Sequence, residues 1–409
     1  MKSLLKCLML AFLFSQFAHA QCDYTQDLYT FTSVKKIFFG VLPDYRGIMD
    51  SLFLDVYLPE GTTETERPLI IWAYGGGFFQ GKREDFAPVC EDMARKGMVS
   101  ATIDYRLGFE GPGFGLNPPF AYDAAEVLRA GYRGATDMKG AIRFLKARHK
   151  EYGIDLKRVW LGGASAGAIV ALNAAFLNNA SEKPQETGEI TPVNNRARPD
   201  LGPVEGTLNL NGYDDSVQGV FNIFGALLDT SAISPGDQIA VFSYHQTGDP
   251  IVPCKVDRPY YPVPLISQNY PLAYGSCAIS DRLTHLGLPD EYWDSWIYTG
   301  QDHALHDENA VLDYFLTQAQ PILCPKIIAT EQNLADLVNI YPNPGSPKLN
   351  ISCRGLFASA ELTHASGMIV ARTQGRDALH FDTSLLSEGM YYLRIRSGSQ
   401  SLVATWVKL

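Results

Sequence analysis

The chain has 409 residues, 46% of them hydrophobic and 19% charged, an ordinary globular balance with length for more than one domain. Its formal net charge of -10 argues against a nucleic-acid surface, which needs clustered Lys and Arg. No apolar run is long enough to span a bilayer.

The N-terminus reads as a secretory signal. "MKSLLK" supplies the positive region, "CLMLAFLFSQF" the apolar core and "AHA" the small-residue cleavage site, with cleavage expected after Ala20. Export turns the six cysteines beyond that point, Cys22, Cys90, Cys254, Cys277, Cys324 and Cys353, into disulfide candidates. Cys254 with Cys277 and Cys22 with Cys90 are the expected pairs among roughly fifteen pairings, with free buried thiols as the alternative. No CxxC or Cys/His cluster has metal-site spacing, so no metal is expected.

From residue 51 the pattern alternates. Segments 51–58, 68–74, 98–105, 158–163, 217–227, 238–245 and 292–300 read as strands, several apolar on both faces. Segments 85–97 and 134–153 have helical spacing and end at Gly stop signals. The expected fold class is therefore α/β, a mostly parallel sheet with helices on both faces. The polar stretch 178–206 reads as a loop, and the Pro- and Tyr-rich stretch 258–277 as a loop that forms part of a lid. From about residue 328 only short β runs with Gly and Ser turns follow, which predicts a small all-β C-terminal domain.

Gly163-Ala164-Ser165-Ala166-Gly167 lies between a strand and an apolar helical run. Such a turn is so sharp that only small neighbours fit, and it lifts Ser165 Oγ above the sheet as a nucleophile. The competing reading makes Ser165 a plain helix N-cap. "AYGGGFFQG" (73–81) follows another strand, and its glycines leave backbone N–H groups open to close approach. With the residue after the nucleophile, Gly76, Gly77 and Ala166 are the candidate donors to an oxyanion. A serine nucleophile needs a base and an orienting acid, here in the order Ser, Asp, His. Asp249 follows the strand at 238–245, and His303 follows the strand at 292–300. Asp237 and His306 are the weaker alternatives. His245 reads as structural or loop-ordering, His149 as solvated, and His285, His364 and His380 lie away from the site.

On these motifs, residues 21 to 327 resemble a secreted α/β-hydrolase of the carboxylesterase and hormone-sensitive-lipase-like kind. "PLIIWAYGGGFFQG", "TIDYRLGF", "VWLGGASAGA", "HQTGDPIVP" and "GQDH" follow the family's order. Tyr74 departs from it, standing where the family usually has a loop-ordering His. Residues 328–409, with "NIYPNP", "LSEGMYYLRI" and "TWVKL", resemble the sorting domain of the type IX secretion system. A carbohydrate-binding β module is the alternative for this stretch. The resemblance implies a signal (1–20), a hydrolase domain (21–327) and a sorting domain (328–409), exported through the periplasm to the surface or the medium. It implies a serine esterase acting through an acyl-enzyme without metal or organic cofactor, and the exported location points to short acyl or feruloyl esters of extracellular polymers. A lipase with the same triad, or a non-catalytic surface adhesin on a hydrolase scaffold, are the alternatives. The implied partners are an ester substrate, possibly polysaccharide-linked, and the type IX machinery.

Overall fold

Strands buried on both faces need cover on both sides, and the longest sheet of the protein answers to that rule. A computed structural model describes residues 23–62, 65–111, 120–324, 334–345, 347–397 and 400–409. The expected signal segment and the expected domain border at 327/328 lie outside these residues. The chain divides into two compact units at Pro325/Lys326.

The first unit is built on strands β1 (Thr30–Pro43), β2 (Met49–Glu60), β3 (Arg67–Ala73), β4 (Val99–Ile103), β5 (Ile154–Ala164), β6 (Gly219–Ile223), β7 (Ala240–Gln246) and β8 (Trp293–Tyr298). They lie in the order β1-β2-β4-β3-β5-β6-β7-β8. Pairing is antiparallel for β1/β2 and β2/β4 and parallel from β4 to β8. All residues of β3, β4, β6 and β7 are buried. Stacked rings tie the strands together: Phe86 on Trp72, Trp72 and Trp160 on Phe221, and Phe315 on Phe221. The main helices are α1 (Ala87–Arg95), α2 (Ala124–Lys146), α3 (Ala166–Phe176), α4 (Ser276–Leu286) and α5 (Glu308–Leu323).

Several elements differ from the sequence reading. Strand β1 was not expected, because its edge position leaves most of its residues exposed or half-buried and blurs the apolar pattern. Helix α2 starts ten residues before the expected position, capped by the Asp123 side chain accepting from the Glu126 N–H. The run 217–227 breaks at Phe224 (φ 39°), after which Ala226–Leu227 joins a small antiparallel sheet with Ala273–Gly275 and Val256–Asp257. The stretch 178–206 contains a hairpin, Ile190–Val193 with Arg196–Arg198. Cys254 and Cys277 form a disulfide. The pair Cys22–Cys90 is corrected: Cys90 is a free thiol on α1, fully buried, and burial pushes it up to about 12. Cys22 lies outside the described residues. Cys324 is disulfide-bonded, and Cys353 is free and buried.

The second unit is all antiparallel, with strands β9 (Asn339–Tyr341), β10 (Lys348–His364), β11 (Ile369–Asp382), β12 (Gly389–Ser397) and β13 (Gln400–Lys408). It has its own core, including Leu349, Ile351, Leu362, Leu393, Ile395 and Trp406. Among the described residues no helix is long and apolar enough to cross a membrane.

Candidate active site

The link between β5 and α3 is a single residue, Ser165, held at φ 55° and ψ -123°. A non-glycine residue there is strained by about 1–3 kcal/mol, so the surroundings must impose it. They do. An added Cβ at Gly167 would come 2.1 Å from the Ala73 carbonyl oxygen, and one at Gly163 would come 2.4 Å from the Gly167 carbonyl carbon. The Ser165 N–H donates to the Ile223 carbonyl at 2.9 Å, and its side chain makes no helix-capping hydrogen bond. The plain N-cap reading therefore fails, and the Ser165 hydroxyl points elsewhere.

It meets His303. Ser165 Oγ lies 2.8 Å from His303 Nε2, and His303 Nδ1 lies 2.6 Å from Asp249 Oδ2. Asp249 sits in the loop after β7 and is fully buried, while His303 follows β8 and keeps 19% side-chain exposure. Burial pushes the Asp249 carboxyl up, but hydrogen bonds and charge from His245 and His303 outweigh it and hold it below the ordinary carboxylate value. Its other oxygen accepts the N–H groups of Ile251 at 2.8 Å and Val252 at 3.1 Å. An ionised Asp249 needs Nδ1 of His303 to be the donor, which leaves Nε2 as an acceptor for the Ser165 hydroxyl.

The alternatives fall elsewhere. His306 stacks on Tyr298 with ring centroids 4.1 Å apart and bonds the Tyr244 hydroxyl at 2.9 Å. Asp237 accepts from the Ser234 N–H at 2.7 Å, a local turn contact.

Two supports were not read from the sequence, Gln246 and Phe224. Gln246 donates to the Ala304 carbonyl and accepts the Asp302 N–H, both at 2.9 Å, and so fastens the loop that carries His303. Phe224 packs its ring 4.5 Å from that of His303. His245, read as structural, is fully buried with Nε2 2.9 Å from the Val252 carbonyl and 3.4 Å from Asp249 Oδ2. Only a spacing of four residues from Asp249 hinted at that contact.

The glycine loop lies beside Ser165. Gly76 and Gly77 have φ of 115° and 62°, and the Gly76 carbonyl accepts the N–H groups of Phe79 and Gln80 at 3.2 Å. Gly77, Ser165 and Ala166 line one apolar cavity of about 50 Å³, whose walls include Val127, Ile169, Leu227, Ile251, Tyr260 and Leu272. Gly76 is not among its lining residues. The stretch 258–277 supplies Pro259, Tyr260, Tyr270, Pro271, Leu272 and Ala273 to this wall. Tyr74 is buried, its ring stacked on Tyr105 at 4.6 Å, and the Tyr105 hydroxyl donates to the Tyr74 carbonyl at 2.8 Å. Among the described residues no group of three His, Cys, Asp or Glu is placed to hold a metal ion.

Comparison with known proteins adds a family context. Residues 21–183 match the model described as "Carboxylesterase family", and residues 339–408 the model described as "Secretion system C-terminal sorting domain". Fumonisin B1 esterase of Sphingopyxis macrogoltabida is 33% identical over 119 residues, 29% of this chain and 22% of that protein. Secreted lipase 1 of Botryotinia fuckeliana is 32% identical over 127 residues, 29% of this chain and 21% of that protein. The chain thus spans about a fifth of the length of these curated relatives. A thermophilic esterase structure from Thermogutta terrifontis is 18% identical, with a TM-score of 0.42, covering 70% of this chain and 93% of that one.

Proposed function

From a chain that carries a carboxylesterase-family domain and a type IX sorting domain, exported to the cell surface or beyond, we propose a serine carboxylic-ester hydrolase. The observation that supports it most is the run Asp249–His303–Ser165, with contacts of 2.6 and 2.8 Å, where Ser165 lines an apolar cavity.

Ser165 Oγ attacks the ester carbonyl while His303 Nε2 takes its proton, and Asp249 stabilises the imidazolium. The carbonyl oxygen becomes an oxyanion and accepts from the N–H groups of Gly76, Gly77 and Ala166. The C–O bond to the alcohol then breaks, the alcohol leaves with the proton from His303, and the acyl group remains on Ser165. Water, deprotonated by His303, attacks this acyl-enzyme and releases the acid, and the proton returns to Ser165.

The cavity narrows the acyl group. A water-sized sphere occupies about 10–15 Å³, so 50 Å³ holds about three to five such spheres, the bulk of a short acyl chain. That suits acetyl to butyryl esters better than a feruloyl group or a long lipid chain. The exported location favours alcohols borne on extracellular polymers.

Hydrolysis of p-nitrophenyl esters from acetate to laurate, by the full chain and a Ser165→Ala variant, tests this. Activity that falls with chain length and vanishes in the variant supports the short-acyl esterase. Activity that rises with chain length supports a lipase. Absence of hydrolysis by folded protein overturns the serine mechanism.

A further inference from the structure

Helix α2 borders a second cavity, of about 280 Å³, that shares no lining residue with the one at Ser165. Six guanidinium groups line it: Arg46, Arg106, Arg129, Arg133, Arg196 and Arg198. The chain as a whole is acidic, so this concentration of positive charge runs against its composition.

Four of the six have carboxylate partners. Arg46 pairs with Asp44, Arg106 with Asp137, Arg196 with Glu110, and Arg198 with Asp123 and Glu126. Asp200, also in the lining, is taken by Lys183. Arg129 and Arg133 are left without an ion pair to a carboxylate among the described residues, although each is only 3% exposed. Arg129 donates to the carbonyls of Glu186, Gly188 and Pro199, which uses three of its five N–H donors and leaves its charge without a carboxylate partner. Arg133 is less satisfied. One terminal nitrogen donates to the Gly108 carbonyl, and among the described residues its Nε has no hydrogen-bond partner. Burial, with repulsion from Arg106 and Arg129 outweighing attraction to Glu126 and Asp137, pushes Arg133 down to about 10.

A buried cation without a counter-charge is expensive, and native structures pair such groups. Here the missing partner has a place to sit, since the cavity adjoins the orphaned guanidinium. We propose that this cavity binds a small molecule bearing an oxyanion, a phosphate, sulfate or carboxylate, held by Arg133 and Arg129 with Arg46 at the rim. Guanidinium forks match such groups two bonds at a time, which a lysine cannot do. The volume approaches the ~300 Å³ lower end of small-ligand pockets, so it admits a sugar-sized body behind the anionic group. This site is independent of the esterase reading and does not require it.

Thermal unfolding and calorimetric titration of the full chain test the proposal. The probes are sodium sulfate, sodium phosphate and sodium galacturonate, each against sodium chloride at matched ionic strength. The expected result is a saturable rise in Tm of several degrees and one site per chain, absent with chloride. Tighter binding of galacturonate assigns a sugar acid, and tighter binding of sulfate or phosphate assigns those groups. Arg133→Met removes the unpaired cation and is expected to abolish the shift. Arg46→Ala, at the half-exposed rim, keeps the fold and is expected to weaken binding at least about fivefold, so it decides the matter if Arg133→Met does not fold. No anion-specific shift in the parent, or an undiminished shift in both variants, overturns the proposal.

Discussion

Asp249→Asn is the sharpest test of the proposed triad, because it changes one atom and keeps the shape. One carboxylate oxygen accepts from the Ile251 and Val252 N–H groups, and the other accepts from His303 Nδ1 at 2.6 Å. An amide has two ways to fit. With its oxygen towards the backbone, its NH₂ faces His303, so Nδ1 must become an acceptor and the proton moves to Nε2. The imidazole then points a donor at Ser165 and has no lone pair with which to take the hydroxyl proton. With the amide reversed, NH₂ meets two N–H donors, and each unsatisfied group costs about 1–3 kcal/mol. The first orientation therefore prevails. Loss of the correct tautomer in a serine triad costs about 10⁴ in kcat, or about 5.5 kcal/mol at about 1.4 kcal/mol per tenfold. The assay is kcat and KM on p-nitrophenyl acetate near pH 8, with Tm and far-UV dichroism to show that the fold is kept. A fall of about 10³–10⁴ in kcat with KM within about threefold is expected. Activity within tenfold of the parent at unchanged Tm would refute the reasoning and move the acid elsewhere.

Replacing both Cys254 and Cys277 by Ser removes a cross-link between residues 23 apart, which lowers stability by roughly 3 kcal/mol in the chain-entropy account. Because the enclosed segment walls the cavity at Ser165, KM should rise more than kcat falls, as steady-state kinetics would show. Ile169→Ala enlarges that cavity at a buried position, and it should move the preferred acyl length up by about two carbons at a cost of about 2–4 kcal/mol in denaturant unfolding. Partial burial pushes Asp214 up, but hydrogen bonds from Lys146 and Ser216 prevail and hold it at about 2. A depressed carboxylate stabilises the fold above its unfolded value of about 3.9 and loses that contribution as pH falls towards 2. The stability gap between parent and Asp214→Asn should therefore close between about pH 4 and pH 2, and with Asp214 72% exposed it should stay under about 1 kcal/mol.

Local constraints made the residues of the proposed triad legible. Gly163, Ala164, Ala166 and Gly167 are small because the turn at Ser165 admits nothing larger, so the constraint is written in adjacent letters. Asp249 follows the wholly buried strand β7, and His303 follows β8, which its Trp, Ile and Tyr residues mark. What stayed hidden depends on distance in space. Cys90 looks like any secreted cysteine until α1 buries it. Gln246 and the loop it fastens are more than fifty residues apart. Nothing local to Arg129 and Arg133 shows that the loops at 186–199 and at Gly108 close over them. Helix α2 was read short, from Gly134, whereas that glycine lies inside the helix and allows close packing against Val170.

Tyr74 changes how the glycine loop responds to acid. An imidazole at this position would acquire charge near pH 6.5 and would load the backbone around Gly76 with a cation as the medium acidified. The phenol has no such transition. Burial pushes its ionisation well above the ordinary value, so it carries no charge on either side of neutrality. The ring holds the loop by stacking on Tyr105 and by filling the space beside Gly81, contacts that do not depend on a proton. An exported protein meets a medium that it does not buffer, and here the support of the glycine loop is indifferent to that medium's acidity.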